Sequence, residues 1–251
     1  MRNANLSTER ILAKLDEYFS KNDTAAAKNH LTYWLGEAEL VGDTRAALLC
    51  KNELMGLCRK LGLREEACSY AERALALVEE MGISDNVGAA TTYLNAATVY
   101  KAFGEASRAL PLYEAAEQIY EKNLSPTDLR RAGLCNNMAL ALCELGRFEA
   151  AAERYQTALS ILQKTAGTEP EQTVTQLNIA TLLEAQWGLE AAAEQIEECL
   201  SAAKELLETE QKRDGNYAFV CEKCATVFGY YGHFAYQDEL LARSRCIYEG
   251  T

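Results

Sequence analysis

The chain of 251 residues is acidic, with a formal net charge of −12 and a sequence pI near 4.8. Its lysines and arginines are scattered in runs no longer than Lys212-Arg213, so it lacks the cationic stripe of a nucleic-acid binder. No run of apolar residues is long enough to span a membrane, and only three prolines interrupt the chain, which favours long helices.

The spacing of apolar residues predicts twelve helices along the chain. They are predicted over residues 7–20, 24–41, 44–61, 64–81, 86–103, 105–122, 127–145, 148–166, 170–186, 189–210, 216–231 and 234–247. Asp43 is the expected N-cap of the third helix, and Ser84 or Asp85 that of the fifth, because short polar side chains satisfy the first free backbone N–H groups.

Two segments that contain proline mark the starts of the seventh and ninth helices. In the first, Ser125 is the expected N-cap, with Pro126 in the first turn and Asp128 three residues after the cap. Thr168 and Pro170 have the same arrangement at the start of the ninth helix. Both segments therefore predict a helix that begins next to the proline.

One pattern of small, polar and aromatic residues recurs at intervals of about 42 residues. Its clearest copy begins at Asn95, and further copies begin at Asn137 and Asn178. Weaker copies surround Met55 and Ala225. In each copy the glycine falls at a turn between two helices, and the alanines allow those helices to approach closely. Each copy is therefore interpreted as a helical hairpin that must stack on its neighbours. The clearest copy comprises Asn95, Ala97, Tyr100, Gly104, Ala106, Ala109, Tyr113 and Ala116.

This pattern resembles the tetratricopeptide repeat (TPR) over about residues 44–247, although the usual TPR is about 34 residues long. The segments Tyr93–Ala97, Leu134–Ala139 and Gln176–Ala180 resemble the long repeats of kinesin light chains and of related bacterial TPR proteins. The resemblance implies an all-α fold, a TPR-type α-α superhelix or solenoid of about six antiparallel helix pairs.

The same resemblance predicts the domain organisation. Residues 1–43 would form a divergent N-terminal hairpin that caps the array. Residues 44–247 would form five TPR-like hairpins in one continuous solenoid domain, and residues 248–251 a short C-terminal tail.

A TPR solenoid implies a protein- or peptide-binding adaptor or scaffold, whose concave groove is lined by the first helix of each repeat. Asparagines at the position of Asn95, Asn137 and Asn178 hold the main chain of an extended peptide in the resembling family. The alternative is that these amides bond to neighbouring helices or to their own preceding turn. By helical spacing, the residues expected to face the groove are Asn52, Arg59, Thr91, Asn95, Thr98, Lys101, Asn136, Asn137, Leu140, Glu144, Asn178, Thr181, Glu184, Lys223 and Tyr230.

Two other functions stay open. One is a peptide-sensing regulatory TPR domain, and the other is a structural scaffold that associates with itself. The aromatic residues near the C-terminus could form a homodimer surface there, or they could fill the core of a divergent last repeat. They are Tyr217, Phe219, Phe228, Tyr230, Tyr231, Phe234, Tyr236 and Tyr248.

The sequence contains no recognisable catalytic motif, so no enzyme activity, cofactor or metal is expected. Cys221 and Cys224 have the spacing of metal ligands, but no second pair of ligands accompanies them. The nine cysteines are interpreted as small core residues of a cytoplasmic protein. The expected partner is a protein or an extended peptide, without nucleic acid or membrane.

Overall fold

The computed structural model describes residues 6–21 and 23–249, and throughout this part the regular structure is α-helical. Residues 1–5, 22, 250 and 251, which belong to the predicted capping hairpin and tail, lie outside the described residues. The twelve helices are α1 (Thr8–Ser20), α2 (Thr24–Val41), α3 (Thr44–Lys60), α4 (Arg64–Glu80), α5 (Val87–Ala102), α6 (Ala106–Asn123), α7 (Leu129–Glu144), α8 (Phe148–Leu162), α9 (Glu169–Trp187), α10 (Ala193–Thr209), α11 (Gly215–Tyr230) and α12 (Phe234–Glu249). The predicted all-α fold of six helix pairs is confirmed.

The helices fall into two compact units, Met1–Leu124 and Ser125–Thr251. In unit 1, α1 packs on α2, α3 on α4 and α5 on α6, and the pairs are joined by α2 on α3 and α4 on α5. In unit 2, α7 packs on α8, α9 on α10 and α11 on α12. The prediction of one continuous domain over residues 44–247 stays a prediction.

Small residues of the repeat pattern are buried in the α5–α6 pair. Ala97, Ala109 and Ala116 are fully buried between α5 and α6, together with Tyr113. Alanines at these positions allow the two backbones to approach closely, so the large ring can fill the space beside them. Gly104, in the turn of this pair, has a φ of +78°, which side chains rarely adopt. The predicted helical hairpin is therefore present.

Two expected N-caps differ from those in the structure. The N-cap of α5 is Asn86, whose Oδ1 accepts a hydrogen bond from the N–H of Ala89, and neither Ser84 nor Asp85 takes this role. Asp128, and not Ser125, caps α7, because the Ser125 hydroxyl is occupied in a turn with Thr127.

The Asp128 cap is reinforced by charge. Its carboxylate accepts from the N–H of Arg130 at 3.0 Å and pairs with the guanidinium of the same residue at 2.6 Å. Hydrogen bonding to that guanidinium lowers the pKa of Asp128 to about 2. A side chain that both caps the helix and holds a cation wins over the serine three residues earlier.

Asp43 and Thr168 are the N-caps of α3 and α9, as predicted. The Thr168 hydroxyl donates to the carbonyls of Leu162 and Thr165 and accepts from the side-chain amide of Gln172, so it does not accept from a backbone N–H of α9. These bonds close the turn after α8, so α8 ends at Leu162 and not at residue 166. A turn over residues 189–192 likewise delays the start of α10 until Ala193.

The cysteines divide by burial. Cys50, Cys58, Cys135, Cys221 and Cys224 are buried, as expected of core residues. The other four depart from that expectation to different degrees. Cys246 is exposed on α12, so its interpretation as a core residue is wrong. This helix packs against α11, and the contact leaves part of its surface exposed. Those that are half-buried are Cys68, Cys143 and Cys199.

Candidate functional site

The fifteen predicted groove residues all lie on helices that begin a pair. In unit 1, α3 packs on α5; in unit 2, α7 packs on α9 and α9 on α11. We call these two surfaces the α3–α5 face, from Asn52 to Lys101, and the α7–α9–α11 face, from Asn136 to Tyr230. None of the fifteen residues is buried, and the exposed ones are Glu144, Thr181, Lys223 and Tyr230.

A hydrogen-bonded amide joins α3 to α5. Asn52 donates from Nδ2 to the hydroxyl oxygen of Thr92 at 3.0 Å and to the carbonyl of Leu48 at 3.0 Å. Its Oδ1 accepts from Nδ2 of Asn95 at 3.1 Å. Both amide hydrogens of Asn52 and one of its acceptor positions are therefore used inside the protein.

The same arrangement is half formed in unit 2. Asn136 donates from Nδ2 to the hydroxyl oxygen of Thr175 at 2.9 Å, which links α7 to α9 as Asn52 and Thr92 link α3 to α5. Its Oδ1 is buried and has no hydrogen-bond partner among the described residues. Asn178, at the repeat position of Asn95, forms no side-chain hydrogen bond within this part of the chain.

The neighbouring Asn137 bonds to its own helix, since its Nδ2 donates to the carbonyl of Gly133 at 2.9 Å. The amides of Asn52, Asn95, Asn136 and Asn137 thus make the contacts that the alternative interpretation expects, to a neighbouring helix or to the preceding turn. Any peptide bonded to these groups would use their remaining acceptor and donor positions.

Two threonines of the α3–α5 face are bonded to tyrosines of α6. The hydroxyl of Thr91 lies 3.1 Å from the Oη of Tyr120, and that of Thr98 lies 3.2 Å from the Oη of Tyr113. Each threonine hydroxyl also donates to the carbonyl one turn earlier in α5. These side chains stabilise the α5–α6 pair and are only partly available to a partner.

The carboxylate of Glu184 on α9 accepts hydrogen bonds from two phenol groups, of Tyr230 and Tyr231. Tyr230 donates to its Oε1 at 2.7 Å and Tyr231 to its Oε2 at 2.8 Å. The two rings meet edge to face, with centroids 5.0 Å apart. Burial, followed by the bond to Glu184, raises the pKa of Tyr231, while a hydrogen bond from Thr181 lowers it. Thr181, Glu184 and Tyr230 were predicted from helical spacing, and Tyr231 was not.

The aromatic residues near the C-terminus serve in two ways. On α11, Lys223 places its Nζ 5.3 Å from the centre of the exposed Phe219 ring. Some of these residues fill the core and others are exposed, and the homodimer surface stays a prediction. The buried ones are Tyr217, Phe228 and Tyr236. The exposed ones are Phe219, Tyr230, Phe234 and Tyr248.

An ion-paired cluster that the sequence did not predict lies in unit 1, beside a cavity of about 370 Å³ between α2, α3 and α4. The side chain of Lys51 is only 6% exposed, and its ammonium lies 2.7 Å from Oε1 of Glu39. The guanidinium of Arg73 lies 2.7 Å from the same oxygen. These two bonds lower the pKa of Glu39, with Lys51 the larger cause.

Membrane spans and metal sites are both absent from the described residues. Across residues 6–21 and 23–249, no helix combines the length and the apolar composition needed to cross a bilayer. In the same ranges, no three histidine, cysteine or acidic side chains gather in a group that could hold a metal ion. Cys221 and Cys224 are buried on α11, and burial raises the pKa of Cys224 to about 12.

Two tetratricopeptide repeat family models match the sequence, one over residues 42–122 and the other over residues 131–171. No curated protein matches the chain. Solved structures with a similar fold include the kinesin light chain nearly identical TPR-like repeats of Podosopora anserina, at 21% identity and a TM-score of 0.56. That likeness covers 80% of this chain and 94% of the other.

Two further structures share the fold. BtubC (BKLC) from P. vanneervenii is 20% identical, with a TM-score of 0.58, over 90% of this chain and 91% of the other. NprR in complex with its cognate peptide NprX is 15% identical, with a TM-score of 0.62, over 94% of this chain and 65% of NprR. The paired helices and both family matches agree: residues 42–122 and 131–171 are tetratricopeptide repeats, and the fold resembles that of the kinesin light chain repeats.

Proposed function

We propose that this protein binds an extended segment of another protein along the first helices of its pairs, as a non-enzymatic adaptor or scaffold. The observation that carries the proposal is the α7–α9–α11 face, where first helices lie side by side and every predicted residue is at least partly accessible. Residues such as Leu140, Glu144 and Thr181 offer apolar, charged and hydroxyl groups there. Repeat arrays commonly bind partners along such surfaces.

The α3–α5 face belongs to the same proposal, as does the predicted concave groove. Arg59 and Lys101 bring positive charge to it, among half-buried polar side chains. No cofactor takes part, and the nine free cysteines suit the reducing cytoplasm. The surface residues of a TPR fold, and not the fold itself, determine which partner it binds.

A peptide-sensing regulatory domain is the second candidate. NprR, which has a similar fold, was solved with its cognate peptide. In a sensor, the peptide would change the population of two conformations of the array, and not merely occupy it. Small-angle scattering with and without a bound peptide separates the two: an adaptor keeps its radius of gyration, and a sensor changes it.

The test of the main proposal uses capture from a lysate of the source cell with the full chain as bait, followed by binding measurements with the purified partner. Thr181→Arg places a long charged side chain on the α7–α9–α11 face, and Gln156→Arg places the same side chain on the exposed surface of α8. We expect Thr181→Arg to lose the partner and Gln156→Arg to keep it. Leu140→Arg is a second variant of the same face. If Thr181→Arg and Leu140→Arg both retain the partner as well as Gln156→Arg does, this face is rejected as the binding surface.

Self-association through the C-terminal end also stays a proposal. Phe234 and Tyr248 are 66% and 55% exposed on α12. Exposed apolar side chains favour association with a second copy of the chain. Multi-angle light scattering on the purified chain tests it, because Phe234→Ser with Tyr248→Ser should convert a dimer to a monomer. A monomer for the unmodified chain at high concentration excludes it.

A further inference from the structure

The carboxylate of Glu184 is fixed in place by its two phenol donors. Tyr230 and Tyr231 each use one oxygen, at 2.7 and 2.8 Å, so the plane of the carboxylate is set by α11 although Glu184 belongs to α9. A carboxylate has about four acceptor positions, and two of them are used here. The other two are left for a further donor.

This carboxylate has no cationic partner in the part of the chain that the structure describes. Each of its hydrogen bonds comes from a neutral phenol, and no described lysine or arginine forms an ion pair with it. Most other bonded carboxylates of the protein do have one: Glu39, Glu105 and Glu208 each pair with at least one guanidinium. The charge of Glu184 is therefore oriented but not neutralised.

The ring of Tyr230 is the second component. It is 68% exposed, and its edge-to-face contact with Tyr231 holds it beside the carboxylate. The negative face of an aromatic ring attracts cations within about 6 Å. The same helix contains such a contact, since Lys223 lies 5.3 Å from the centre of the Phe219 ring, but no described cation lies over Tyr230.

We propose that Glu184, Tyr230 and Tyr231 form a subsite for a basic side chain of the bound segment, an arginine before a lysine; this inference rests on the proposed function. A guanidinium can donate two parallel hydrogen bonds to the free positions of the carboxylate while its flat face lies against the Tyr230 ring. The net charge of −12 attracts a basic segment to the protein as a whole.

The chemistry of the subsite disfavours other side chains. An acidic residue would be repelled by Glu184, and an aliphatic residue would remove water from the carboxylate without replacing its hydrogen bonds. A neutral side chain of the same shape as arginine is therefore the sharpest comparison. Citrulline has that shape, because it replaces one terminal nitrogen of the guanidinium with oxygen and carries no charge.

The experiment selects peptides from a random phage-displayed library on the 251-residue chain. The best binder is synthesised twice, with its critical basic residue as arginine or as citrulline, and both are titrated by fluorescence anisotropy. We expect enrichment of basic residues and an affinity about tenfold or more higher for the arginine peptide. Glu184→Gln should remove most of this difference, because glutamine keeps a hydrogen-bond acceptor but not the charge.

Two variants complete the design. Glu194→Gln changes the net charge equally on the exposed surface of α10 and should keep the full preference for arginine. Tyr230→Phe removes the phenol but keeps the ring, so it should weaken the arginine peptide less than Tyr230→Ala does. Circular dichroism confirms that each variant keeps its helices.

The outcomes separate this inference from the function beneath it. Selected peptides without basic residues, or an arginine preference that survives Glu184→Gln, would overturn the subsite and leave peptide binding intact. Failure to select any peptide that binds the soluble chain would overturn both. Loss of the preference in Glu194→Gln as well would show that only the overall charge matters, which also overturns the subsite.

Discussion

Asn95 donates a hydrogen bond from its Nδ2 to the Oδ1 of Asn52 over 3.1 Å, and this bond connects the first helices of two consecutive pairs. Its counterpart in unit 2 is missing, because Oδ1 of Asn136 is buried with no described partner. The asparagines that mark the repeat therefore have unequal structural roles, and they can be distinguished by measurement.

Asn95→Ala should destabilise the protein, whereas Asn137→Ala should not. The first change leaves Oδ1 of Asn52 without its donor, at a cost of about 1 kcal/mol. The second removes only a bond to the preceding turn of the same helix, which alanine compensates through its higher helix propensity. Urea unfolding followed by circular dichroism measures both, and equal midpoints for the two variants would contradict this prediction.

Asn136→Leu should change stability by less than about 1 kcal/mol, while Asn52→Leu should cost about 1–3 kcal/mol. Leucine at position 136 loses one bond, to Thr175, but also removes a buried acceptor that is unpaired, whereas at position 52 it breaks bonds to both Thr92 and Asn95. Leu94 and Leu177 occupy the corresponding positions of adjacent repeats, so the space tolerates the side chain. Thermal melts of the two variants side by side give the comparison; a larger loss for Asn136→Leu would refute it.

Glu39→Gln should destabilise the chain by about 1–3 kcal/mol at neutral pH, because it leaves the ammonium of Lys51 buried without a countercharge. The pKa of Glu39 is lowered in the folded state, chiefly by Lys51. Its stabilising contribution is therefore present above the unfolded-state pKa, near 4.3, and is lost as the pH falls through the lower folded-state value.

The pH dependence provides the check for Glu39. Unfolding free energies of the unmodified chain and of Glu39→Gln should differ at pH 7 and converge as the pH is lowered toward about 3. Glu79→Gln, an exposed acid on the neighbouring α4, is the control and should match the unmodified chain throughout. A difference that persists at low pH would mean that Glu39 acts by shape and not by charge.

Cys246 should be the first cysteine to react with a thiol reagent at neutral pH, since it is exposed. Burial raises the pKa of Cys50 and of Cys199 to about 11, which leaves little thiolate. Mass spectrometry after brief exposure to iodoacetamide should locate the first label on the peptide that contains residue 246. Cys246→Ser should remove the fast phase, and early labelling of a buried cysteine would contradict the assignment.

The helices and their pairing followed from local patterns, because apolar spacing and turn glycines act within one or two turns. Gly104 is an example, since its place between two periodic segments predicted the left-handed backbone that the structure has. Cap selection was less predictable: Asn86 and Asp128 won over neighbours of the same chemistry because of contacts that only the folded turn creates.

The sequence predicted the residues of the candidate site one helix at a time. It did not predict the contacts between those helices. Helical spacing placed Glu184 and Tyr230 on accessible faces, but their bond depends on how α9 packs against α11. Lys51 was missed for a similar reason. It occupies a position between buried residues of α3, and its burial becomes acceptable only because Glu39 of α2 reaches it.

The amide contact also identifies the size of the building block. Asn52 with Thr92, and Asn136 with Thr175, recur after two helix pairs, while leucines at positions 94 and 177 occupy the intervening repeats. Adjacent pairs are consequently not interchangeable. An engineer who lengthens the array should duplicate two pairs together, because inserting a single pair would set an asparagine against a leucine that offers it no partner.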